Sequence, residues 1–136
     1  MPAQGKWLKT VMADKTRKLP GADHPITIAK NPDRVVVKLG DLVLADTRDA
    51  LSLQESTYPA VQYLPRANVD FTALERTEHT TYCPYKGDAA YYSIMAAGAD
   101  GENAVWTYEQ PYDAVADIRD HVAFYPNKVT IEIIAD

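Results

Sequence analysis

The chain has 136 residues, 46% of them hydrophobic and 24% charged, with a net charge of −5 and one cysteine. A chain of this length fits one domain that buries roughly 65–70% of its unfolded surface, and it needs neither metal nor disulfide to fold. The interleaved negative balance disfavours a nucleic-acid surface, a single cysteine excludes an intrachain disulfide, and no apolar run approaches the ~20 residues that cross a bilayer.

Residues 1–32 read as an N-terminal arm with a lead-in strand, and residues 33–136 as a single β domain. Lys6, Lys9, Lys15, Arg17 and Lys18 make the arm basic ahead of Pro20-Gly21, and Trp7 to Met12 suits a short element that docks on the core or on a second copy. The stretch "MPAQGKWLKTVMADKTRKLPG" mixes charge throughout and lacks the apolar run of a secretory signal, so the expected compartment is cytoplasmic. A strand around Ile26–Ile28 stops at Asn31-Pro32. From Arg34 the pattern turns to period two, with Val35, Val37 and Leu39 alternating against Arg34, Val36 and Lys38. Gly40-Asp41 then suits a hairpin turn into "LVLADT".

"ALSLQE" and "AVQYL" continue the strands, and "PRANVDFTAL" suits one or two helical turns opened by Pro65. "ENAVWTYEQP" reads as a strand ended by Pro111, and "YDAVADIRD" as a short helix burying Ala114, Val115 and Ile118. Gly98 and Gly101 bound a loop. The chain closes with "HVAFY", a Pro126-Asn127 turn, and "KVTIEII", in which Val129, Ile131 and Ile133 share a face. About eight short strands and one or two short helices predict a mainly β, compact antiparallel or barrel-like single domain.

The segment "HTTYCPYKGDAAYY", residues 79–92, holds the one cysteine, a lysine and four tyrosines. Pro84-Tyr85-Lys86-Gly87 has turn grammar, since proline sets one corner and glycine closes the other. A thiol and an ammonium flank that turn, and Lys86 three residues from Cys83 can activate a thiolate. A lone cysteine beside a strand is more often a small buried hydrophobe. His79 lies about 13 Å from Cys83 along an extended strand, which disfavours a direct dyad, but its equal parity lets it face the same groove. Lys86 can instead orient an anion or form a Schiff base.

Trp106 and Tyr108 project to one face of "AVWTYEQ", a pairing that serves packing or a ligand platform. Nine tyrosines against two phenylalanines favour wet, polar-tipped cavities. Cys83, His24, His79 and His121 show no metal-ligand spacing, so no metal and no cofactor are expected. No nucleophile elbow, phosphate loop or dinucleotide fingerprint is present.

"HPITI", "VLADTRDALSLQES", "YPAVQYLPRANVD", "RTEHTTYCPYKGDAAYYSI", "ENAVWTYEQP" and "HVAFYPNKV" occur together in this order. Over roughly His24 to Val129 the chain resembles the bacterial family called domain of unknown function 427, with T-x-C-P-Y-K-G as the most distinctive part. The resemblance implies a small, mostly β protein of the β-tent class with no established activity. The zinc-binding C-x-x-C pairs of many β-tent proteins are missing here. A label suggesting nucleotidyl transfer also attaches to the family, yet the paired carboxylates and glycine-serine loop of such transferases are not recognisable.

Two functions compete on this reading. In the first, Tyr63, Tyr85, Trp106 and Tyr108 line a concave face for a small anionic or ring-containing molecule, with Lys86 or Arg66 neutralising charge. In the second, an enzyme of hydrolase or transferase type uses Cys83 as nucleophile, Lys86 as electrostatic catalyst and His79 as acid or base. A scaffold that oligomerises through its N-terminal arm is the third expectation. Nucleic acid and membrane are not expected partners.

Overall fold

The computed structural model describes residues 16–135, so the Trp7 to Met12 element and most of the basic arm lie outside the described residues. Ten strands follow in chain order: β1 (Ile26–Lys30), β2 (Arg34–Leu39), β3 (Leu42–Thr47), β4 (Leu51–Glu55), β5 (Val61–Pro65), β6 (Leu74–Cys83), β7 (Gly87–Ile94), β8 (Val105–Thr107), β9 (His121–Phe124) and β10 (Thr130–Ile134). They form two antiparallel sheets, a seven-stranded one in the order β1-β4-β5-β9-β8-β7-β6 and a three-stranded one in the order β10-β2-β3. Neither closes into a barrel, since β1 and β6 remain as edges of the larger sheet. The mainly β, antiparallel expectation therefore holds for an open two-sheet form. No helix among the described residues is long and apolar enough to cross a membrane.

Period-two alternation gives the larger sheet two distinct faces. On one, Tyr92, Ile94, Val105, Val122 and Phe124 pack in a single cluster with Val35, Val37 and Leu44 of the small sheet. On the other, Leu53, Tyr63, Tyr91, Tyr108 and Ala123 form a second cluster with Val115 and Ile118. Adjacent residues on β8 thus serve different cores: Val105 belongs to the first cluster, and half-buried Trp106 packs against the second.

Some local expectations change. Val36, grouped by pattern with Arg34 and Lys38, is buried. It sits on the central strand of its sheet, opposite Asp46 and Glu132, between the Arg34–Asp46 and Lys38–Glu132 ion pairs, whose aliphatic stems cover apolar surface. Val115 and Ile118, three apart in the 3-10 segment Asp113–Ile118, are fully buried, whereas Ala114 is exposed. Ile133 is exposed near the end of β10, although Ile131 packs against the core. "PRANVDFTAL" forms two 3-10 turns, Arg66–Asn68 and Phe71–Ala73, and a further 3-10 segment, Met95–Gly101, occupies the expected loop.

Candidate functional site

The "CPYKG" turn joins β6 to β7 with Cys83 paired to Gly87, and the Lys86 amide donates to the Cys83 carbonyl at 3.2 Å. Gly87 has φ +110, a conformation that side chains rarely adopt, and its α-carbon faces the backbone of Gln110 and Tyr112. The Tyr112 amide donates to the Lys86 carbonyl at 3.0 Å, anchoring the turn beneath the segment after β8. The turn sends its two central side chains in opposite directions. Lys86 goes inward and is only 7% exposed, while Tyr85 goes outward and stacks on the His24 ring at 4.1 Å, tilted by 7°.

The inward path ends in a cavity of about 270 Å³ on the second-cluster face of the larger sheet. Four of the residues singled out from sequence meet there: Tyr63 from β5, Lys86 from the turn, and Trp106 and Tyr108 from β8 and its continuation. Tyr91 and Tyr125 complete an aromatic wall. Trp106 meets Tyr63 edge-on at 6.3 Å and Tyr125 at 4.5 Å, and its Nε1 donates to the Tyr63 hydroxyl at 3.2 Å. Rings set at such angles form a box rather than a stack.

The other candidates lie elsewhere. Tyr85 borders a separate groove with Lys18, Gly21 and His24. The Arg66 guanidinium lies over the Phe71 ring at 4.3 Å and reaches the Tyr92 hydroxyl at 3.4 Å, on the side of the sheet that Tyr92 shares with the first cluster. His79 is exposed and lies against the Tyr91 ring at 4.5 Å. Its placement follows from a register shift between Arg76 and Thr80, which sets residues 77–79 opposite Tyr91 on β7. Cys83 is a half-buried free thiol that packs against the second cluster. Among the described residues no three His, Cys, Asp or Glu side chains gather to hold a metal ion.

Glu55 is the member that pattern reading missed. Its carboxylate accepts from Lys86 Nζ at 2.6 Å and meets His24 Nε2 at 2.7 Å, and Lys86 Nζ also points to Cys83 Sγ at 3.6 Å. A chain of polar groups therefore runs from His24 through Glu55 and Lys86 to Cys83, and its two middle members line the cavity. A usable signal existed: Glu55 shares the parity of Leu51 and Leu53 on β4, so a carboxylate stands on an apolar face.

Burial pushes the Glu55 carboxyl up, but hydrogen bonds from Lys86 and His24 outweigh it and hold the group below its ordinary 4.5. Burial pushes the Tyr63 and Tyr108 phenols well above their ordinary value, so both are neutral donors at physiological pH. Burial and a hydrogen bond with Tyr91 push Tyr125 up to about 12. The Tyr108 hydroxyl has no hydrogen-bond partner among the described residues, although the residue is only 7% exposed. Among the described residues no buried side-chain polar atom is left unsatisfied, so this hydroxyl keeps contact with solvent, and Tyr108 is one of the residues that line the cavity.

A carboxylate lowered in the folded state stabilises the fold above its unfolded value, 4.5, and that contribution fades as pH falls through the folded value. Thermal unfolding midpoints measured between about pH 7 and pH 3 should therefore fall less steeply in Glu55→Gln than in wild type. Equal slopes would assign the acid sensitivity to other carboxylates such as Asp46 and Glu109, which Arg34 and Arg76 hold low at the surface.

The fold and site together define a small open two-sheet β domain with an aromatic cavity and a lysine–glutamate floor. The sequence model of the family described as Domain of unknown function (DUF427) matches residues 27–135, and the chain belongs to that family. No curated protein matches the chain.

Proposed function

We propose that this domain binds a small ring-containing molecule in the cavity beside the Cys83–Gly87 turn. The observation that carries the reading is the convergence of Tyr63, Lys86, Trp106 and Tyr108, from three separate parts of the chain, on one cavity. About 270 Å³ suits a ligand of one or two rings, near the lower end of small-molecule sites at ~300 Å³. The angled rings offer faces and edges for stacking, and the open Tyr108 hydroxyl offers one donor for orientation. The ring contributes more to this reading than an anionic group does, because Glu55 already neutralises the Lys86 charge at 2.6 Å.

The test is a thermal-shift screen of aromatic and heteroaromatic compounds against wild type, Trp106→Ala and Tyr108→Phe. A ligand at a hundred times its Kd stabilises a fold by about 2.7 kcal/mol, which is readily seen as a shifted midpoint. Trp106→Ala should weaken binding by roughly tenfold through loss of a stacking face, and Tyr108→Phe by a similar factor through loss of one hydrogen bond. Compounds that stabilise all three proteins equally bind somewhere else, and that result would remove the cavity from the proposal.

A further inference from the structure

We propose that the cavity takes aldehydes or ketones carrying an aromatic ring and joins them to Lys86 as an imine. The proposal rests on the binding reading above and assigns a chemistry to the same floor. Three observations point to it. Lys86 is the lysine among the residues that line the cavity, and its side chain is only 9% exposed. Its Nζ stands 2.6 Å from a Glu55 oxygen, close enough for a proton to pass between them. Tyr108 lines the same cavity, its hydroxyl has no hydrogen-bond partner among the described residues, and Lys86 Nζ lies over its ring at 5.9 Å, so the amine and the phenol ring border one space.

The chemistry balances without any further reagent. The Lys86 ammonium gives one proton to the Glu55 carboxylate, and the freed amine lone pair forms a bond to the carbonyl carbon as the C=O π bond breaks. The Tyr108 hydroxyl donates a hydrogen bond to the oxygen as negative charge grows there. A proton moves from nitrogen to that oxygen, giving a neutral carbinolamine. Protonated Glu55 then returns its proton to the carbinolamine hydroxyl, the C–O bond breaks, and water leaves. The products are a protonated imine on Lys86, a Glu55 carboxylate and one water, with charge conserved throughout. Burial helps at both ends, since the Lys86 and Glu55 side chains are only 9% and 18% exposed, which strengthens their exchange and slows hydrolysis of the imine. Tyr63 and Trp106 supply the faces that hold the ring while the carbonyl sits at the floor.

The probe is benzaldehyde with cyanoborohydride, which reduces an imine to a stable secondary amine, followed by peptide mass spectrometry of the intact folded protein. The expected result is one benzyl adduct, formed on the Lys86 peptide about tenfold faster than on surface lysines such as Lys30 and Lys128. Lys86→Arg keeps the charge opposite Glu55 and cannot form the imine, so the fast adduct should vanish in a folded protein. Tyr108→Phe, which keeps the ring, should slow labelling by roughly ten- to 150-fold, the worth of one hydrogen bond to a charged group. Uniform labelling of surface lysines, with Lys86 no faster or the same total in Lys86→Arg, would overturn the imine. Non-covalent ring compounds that still shift the wild-type midpoint would then leave the binding proposal standing, so the two readings fail separately.

Discussion

Glu55→Ala is expected to destabilise the fold by about 3 kcal/mol, read from urea unfolding at neutral pH. The substitution removes the carboxylate that Lys86 meets at 2.6 Å and His24 at 2.7 Å. It leaves an ammonium 9% exposed that, among the described residues, keeps the Cys83 sulfur at 3.6 Å and the Tyr108 ring at 5.9 Å as its neighbours. An unpaired buried charge is far more costly than an absent one. The double variant Glu55→Leu, Lys86→Met should therefore recover most of the loss, because apolar residues of similar volume remove the charge together with its partner. A single-variant loss below about 1 kcal/mol would mean that water entering the cavity hydrates Lys86 well enough to replace Glu55.

Gly101→Ala should be as damaging for a different reason. A Cβ at this buried position would lie 2.3 Å from the Ile94 carbonyl oxygen and 2.9 Å from the Ala97 Cβ. The oxygen belongs to the backbone where β7 passes into the 3-10 segment, so it cannot swing aside as a side-chain tip can. The expected loss is about 3 kcal/mol, at the upper end of overpacking. Gly21→Ala is the control, since nothing lies within 4 Å of its added Cβ, and its effect should stay within about 0.5 kcal/mol. Chemical denaturation of both variants checks the contrast, and similar midpoints would show that the 94–101 segment relaxes freely.

Strand positions were legible because alternation and turn residues are local signals. Gly40 and Gly87, both at positive φ, sit where glycine was expected to close turns. The cavity was legible in part for the same reason: Trp106 and Tyr108 share a parity, and the turn motif marked Lys86. Glu55 and Tyr91 join them through pairings that strand order decides, and β5 reaches β8 only through β9, which arrives much later in the chain. Tyr85 and Arg66 illustrate the converse. Tyr85 neighbours Lys86 in sequence but leaves the turn on its other side, toward His24, and Arg66 follows Tyr63 closely but packs on Phe71 and Tyr92. Gly101 escaped because close backbone approach depends on how the 94–101 segment curls, which composition does not encode.

The register shift on β6 also bears on how the molecule meets other chains. As an outer strand of the larger sheet, β6 turns a row of amide and carbonyl groups toward solvent, the template on which foreign strands add and aggregates grow. The irregularity divides that row, leaving regular pairing to β7 over Leu74–Arg76 and again over Thr80–Cys83. A strand laid along the outside would lose its ladder after three residues and would then meet exposed Glu78 and His79. The kink that sets His79 against Tyr91 therefore also protects the longest strand of the fold from edge-to-edge association.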